Sequence, residues 1–273
     1  MRPIAPARPA LVVLVGLALA ALPGCGAKKR PDQAATLLDP TGAYRKGMEQ
    51  LSKRELRQAI ATLDRIQYTG PTQERIEPLS RLAVADATFY GGTDLGLIEA
   101  RNLYLDFVTL YGDHPLAPYA QTQAGTCSLL QISHPSRDQS LTYQALADLG
   151  EVRRRYPDSR FTDVAERLIR TGRANLAESE FLVGRFYLKQ KRPLAALERF
   201  DRITDEYPEF GQMDKVLYFI GNALLRLDND VKARLYLEQV VRDWPGGAYS
   251  DSARKLLARI DPASGGEAGG ASH

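Results

Sequence analysis

The chain is short of the residues from which chemistry is usually built. It has two cysteines, three histidines and one tryptophan in 273 residues. Two cysteines exclude a disulfide framework, and their settings differ: Cys25 closes an apolar leader, whereas Cys127 lies inside a helical segment and reads as a small buried apolar residue. His114, His134 and His273 stand at turns or in the tail, and none pairs with cysteine or a carboxylate at metal-ligand spacing. Charge of one sign is scarce too. There are 36 Lys and Arg against 33 Asp and Glu, and setting aside Arg2 and Arg8 with the leader lowers 36 to 34. A nucleic-acid surface needs a basic excess gathered on one face, and Lys28-Lys29-Arg30 and Arg153-Arg154-Arg155 are too short to supply it. The phosphate loop, dinucleotide fingerprint, nucleophile elbow and zinc-protease helix are all missing. Asp228-Asn229-Asp230 lacks the glycine and distal glutamate of a calcium loop and suits a helix–helix turn. These absences predict no catalytic residues, no metal, no cofactor and no nucleic-acid partner.

What is present begins with the leader. Arg2 and Arg8 precede an apolar run from Leu11 to Leu22, which is too short to span a membrane comfortably and suits a secretory signal peptide. The run ends in Leu22-Pro23-Gly24-Cys25, which resembles a bacterial lipobox, so cleavage before Cys25 and acylation of that cysteine are expected. One acyl chain binds membranes marginally, and two or three hold a protein nearly permanently. By resemblance to enterobacterial lipoproteins, Gly26 in place of aspartate directs the product to the outer membrane, facing the periplasm. The expected organisation is a signal peptide over 1–24, a lipidated flexible tether over 25–40, a helical body over 41–260 and a disordered Gly/Ser tail over 261–273.

The body carries a rhythm. Ala59, Ala100, Ala145, Ala196 and Ala233 are each followed at +4 and +7 by large apolar residues and at +12 by a helix breaker. Ala196, Phe200 and Ile203 with Tyr207-Pro208 give the clearest instance. The spacing places one apolar face on a helix that stops at the proline. An apolar helical segment precedes each anchor helix, roughly Ala43–Ser52, Glu77–Tyr90, Pro118–Ile132, Thr162–Lys189 and Met213–Leu227. Paired helices with a small residue at the close approach resemble the tetratricopeptide repeat. The alanine-to-alanine intervals are 41, 45, 51 and 37, against about 34 for the ideal unit. The prediction is an all-α solenoid of about five tetratricopeptide-like hairpins, irregular, with an extended fourth unit and a loop at SHPSRDQS in the third.

With the lipobox, these pairs resemble the BamD family of outer-membrane assembly lipoproteins. The likeness is strongest from Arg137 to Phe210: Arg-Asp, an anchor helix closing on Tyr-Pro-x-Ser, a D-x-A-x-R-L-type helix, then L-A-x-x-E and the pair Phe186-Tyr187. It is looser in the first two units, where Tyr111-Gly112 lacks the proline and Gly70-Pro71 is not a clean Tyr-Pro. The resemblance implies a non-enzymatic periplasmic scaffold. Its C-terminal repeats would dock on a BamA-type barrel insertase, and its N-terminal repeats would engage unfolded outer-membrane proteins. It also implies a partner-binding arginine nine residues before the Tyr-Pro proline, which here is Arg199. The other four units place Thr62, Leu103, Asp148 and Tyr236 at that register, on an edge expected to be exposed. Another tetratricopeptide lipoprotein of the envelope, a pilotin or a Tol-associated factor, is the alternative. A regular 34-residue repeat would favour the first and an N-terminal coiled coil the second.

Overall fold

A computed structural model describes residues 39–68 and 70–260. Eleven helices and no strand occur among the described residues. They pair in order as α1 (Pro40–Ser52) with α2 (Leu56–Leu63), α3 (Pro71–Tyr90) with α4 (Asp94–Leu110), and α5 (Ala117–Leu130) with α6 (Ser140–Arg155). Then come α7 (Thr162–Lys189) with α8 (Pro193–Glu206), and α9 (Met213–Leu225) with α10 (Asp230–Asp243), followed by the single α11 (Ser250–Ile260). Each helix packs on the next in the chain, and first helices of successive hairpins also touch: α1 with α3, α5 with α7 and α7 with α9. The all-α solenoid of five hairpins with a long fourth unit is therefore what the chain forms.

The anchor residues make the core. Ala59, Ala100, Ala145, Ala196 and Ala233 are fully buried, as are the +4 residues Leu63, Tyr104, Leu149, Phe200 and Leu237. Close approach is also secured from the facing helix. A Cβ on Gly184 of α7 would lie 2.4 Å from Phe200 Cε1, and Gly47, Gly125 and Gly221 meet Leu63, Leu149 and Leu237 in the same way. In four of the five hairpins a glycine thus faces the +4 residue.

The breakers produce one repeated joint. α4, α6, α8 and α10 end on Tyr111, Tyr156, Tyr207 and Trp244, all with φ near −130° and ψ of 45–64°. Each aromatic residue donates its N–H to the carbonyl of the +7 residue. Its own carbonyl then accepts from the residue three further on, at 2.9–3.0 Å. Tyr111 takes this geometry before Gly112 as the others do before proline, so the aromatic cap and the turn define the joint.

The first hairpin departs from the rhythm. α2 stops at Leu63, and Ile66 is buried from the following loop rather than from the helix. α3 begins at Pro71 instead of Glu77, because Pro71 occupies the first helical turn, where a missing N–H costs nothing. Gly70 precedes it at φ +54°, a left-handed value that favours glycine.

Candidate partner-binding site

Arg199 lies on α8, one position before Phe200, whose ring is fully buried. That placement puts the arginine at the edge of the α7–α8 seam with its side chain one-third exposed. It is not a freely solvated residue. Its Nη1 is 3.1 Å from Oε2 of Glu180 on α7, and Nη1 of Arg202 is 3.2 Å from the other oxygen of the same carboxylate. Glu180 is only 18% exposed. Hydrogen bonding to Glu180, chiefly, raises the Arg199 guanidinium above its ordinary range, with Tyr187 beside it. Two guanidinium groups share the Glu180 carboxylate, and Arg202 also pairs with Glu206 at 3.8 Å, so two cations meet two carboxylates along this edge. Tyr143, 59% exposed, stands near Tyr207, whose hydroxyl burial pushes up to about 12.

The edge is not uniform along the stack. At the matching register of the third hairpin, Asp148 is buried and takes Arg101 of α4 in a two-pronged pair at 2.8 and 3.0 Å. Gln121 of α5 donates to the Asp148 carbonyl. That position ties the second hairpin to the third, so the expectation of an exposed edge fails at Asp148. Thr62, Leu103 and Tyr236 are half-buried. Cys25, the expected acylation site, lies outside the described residues, as do most of the expected tether and the expected tail.

A second feature was not foreseen from the sequence. A groove of about 330 Å³ runs between the first three hairpins, lined by Tyr44 and Met48 of α1, by Leu79, Leu82 and Asp86 of α3, and by Tyr119 of α5. Phe161 and Arg160, just before α7, close one side. Asp86 Oδ1 accepts hydrogen bonds from the hydroxyls of Tyr104 at 2.6 Å and Tyr119 at 2.8 Å. Burial raises the Asp86 carboxyl above its usual range, and the two tyrosine bonds oppose this. The tyrosine rings meet edge to face at 6.3 Å. No spacing within one helix announces this cluster, since Asp86, Tyr104 and Tyr119 come from three helices.

The remaining candidates have structural settings. Cys127 is fully buried, and burial pushes its thiol up to about 12. His114 and His134 accept backbone N–H bonds inside their own turns. Among the described residues no three His, Cys, Asp or Glu side chains gather as a metal site, and no helix is long and apolar enough to cross a membrane.

Stacked hairpins that display a charged edge and an apolar groove define an α-helical repeat protein. A family model described as "YfiO: Outer membrane lipoprotein" matches residues 38–235. The chain belongs to that family of outer membrane lipoproteins. Two similar proteins carry the name outer membrane protein assembly factor BamD. That of Caulobacter vibrioides is 28% identical over 251 residues, covering 92% of this chain and 81% of its own. That of Rickettsia prowazekii is 24% identical over 246 residues, covering 90% and 94%. The resemblance to the BamD family drawn from the sequence is borne out. Among solved structures, the TPR2AB domain–pHSP90 complex of yeast Sti1 aligns over 81% of this chain and 84% of that one, with a TM-score of 0.41 and 13% identity.

Proposed function

We propose that this chain is a non-enzymatic scaffold of outer-membrane protein assembly, anchored to the outer membrane through acylated Cys25 and facing the periplasm. It binds a BamA-type barrel insertase through the Arg199 edge and nascent, unfolded outer-membrane proteins through its N-terminal hairpins. The observation that carries this reading is the family match across residues 38–235, which runs from the first hairpin into α10, together with relatives named for outer-membrane protein assembly. The shared-carboxylate geometry supports the docking role, because Arg202 keeps Glu180 paired when Arg199, one-third exposed, turns to an acidic partner group. The apolar groove of the first three hairpins supports engagement of unfolded chains, which offer apolar side chains on extended backbone. Affinity purification from detergent-solubilised envelope tests the assignment. Recovery of a barrel with repeated periplasmic domains is the expected outcome, and recovery of a secretin in its place overturns it.

A further inference from the structure

We propose that the groove of the first three hairpins holds an extended segment of its partner by a basic side chain seated on Asp86, with apolar side chains of the segment on either side. Under the scaffold reading, on which this rests, the partner is an unfolded client; the chemistry at Asp86 adds which segment of the client is held.

The hydrogen bonds at the carboxylate set the selectivity. Tyr104 and Tyr119 both donate to Oδ1 and fix the group in place, while Oδ2 takes no hydrogen bond from any described residue. No described lysine or arginine forms an ion pair with Asp86. Arg160, which shares the groove, instead lies over the Phe161 ring with its Cζ 4.9 Å from the ring centroid. A partly buried carboxylate without a counter-ion is costly, and the cost falls when a cation with a hydrogen to donate arrives. The walls supply the other half of the recognition. Met48, Leu79, Leu82 and Phe161 present apolar surface to the stem of a lysine or arginine and to neighbouring apolar residues. A purely apolar segment would cover Asp86 without pairing it, and an acidic side chain there would add like-charge repulsion. Both are disfavoured relative to a basic one.

The test uses the purified full chain and three short fluorescent peptides. Alternating apolar residues flank a central lysine, norleucine or glutamate, and both peptide ends are blocked so that the lysine ammonium is the one cation. The lysine peptide is expected to bind about tenfold more tightly than the norleucine peptide, with the glutamate peptide weakest. Asp86→Asn, which preserves size and an acceptor for the tyrosines, is expected to erase the lysine advantage and leave norleucine binding unchanged. Tyr119→Phe removes one of the two bonds on Oδ1 and is expected to narrow the advantage, which gives a second reading if Asp86→Asn folds poorly by thermal melt. Equal affinity for the lysine and norleucine peptides in the native chain overturns the proposal, as does a lysine advantage that survives Asp86→Asn. Co-purification of the barrel subunit is scored separately. Its loss with peptide selectivity intact sinks the scaffold reading alone, and intact co-purification without selectivity sinks the Asp86 site alone.

Discussion

At Arg199 the side chain proposed to meet a partner is already held by its own protein. Glu180 fixes one nitrogen of the guanidinium, and Arg202 holds the same carboxylate from the other side. Substituting Arg199 therefore does not strand a buried charge, because Arg202 continues to neutralise Glu180. Arg199→Ala is expected to reduce recovery of the barrel subunit about tenfold or more, with unchanged circular dichroism and melting temperature. Undiminished recovery would remove Arg199 from the binding surface. The register of Arg199 was legible in the sequence because one helix period fixes which side of Phe200 it occupies. Its tie to Glu180 was not, because that contact spans two helices and depends on how α7 and α8 align. Asp86 was hidden for the same reason: its tyrosines lie 18 and 33 residues further along.

Single elements behave as their anchor residues dictate. The +4 and +7 positions were readable because burial on one helical face imposes a 3.6-residue period. The glycines of the facing helices were not, since a glycine within a helix has no periodic signature until its neighbour is known. Their importance is measurable at Gly184. A methyl group there would collide with the Phe200 ring, which is fully buried. The gain in helix propensity, about 0.5–1 kcal/mol, is outweighed by overpacking of about 1–3 kcal/mol. Gly184→Ala is therefore expected to lower the urea midpoint, with a net loss of up to about 2.5 kcal/mol. An unchanged or raised midpoint would show that Phe200 adjusts freely. The early stop of α2 went unread because Ile66 keeps its buried role from a loop, satisfying the apolar pattern without the helix.

On the scale of the stack, each hairpin touches mainly its neighbours, so stability is local and transmitted from unit to unit. α11 covers the open end of the last hairpin with Ala253 and Leu256, which join the core that includes Val216, Leu237 and Val240. Ending the chain after α10 is expected to cut amide protection in α9 and α10 while leaving α1–α6 protected, as read by hydrogen exchange. Uniform loss of protection would instead show one cooperative unit.

The long fourth unit has a consequence of its own. α7 packs its early turns on α6, where Gly172 meets Leu146, and its later turns on α8, where Gly184 meets Phe200. Phe161, at its start, walls the groove, and Glu180, further along, grips Arg199. At 1.5 Å per residue the helix sets those two points about 28 Å apart. The helix is in effect a ruler. A partner able to reach both marks gains the second contact at high effective concentration, whereas one of the wrong span must choose between them.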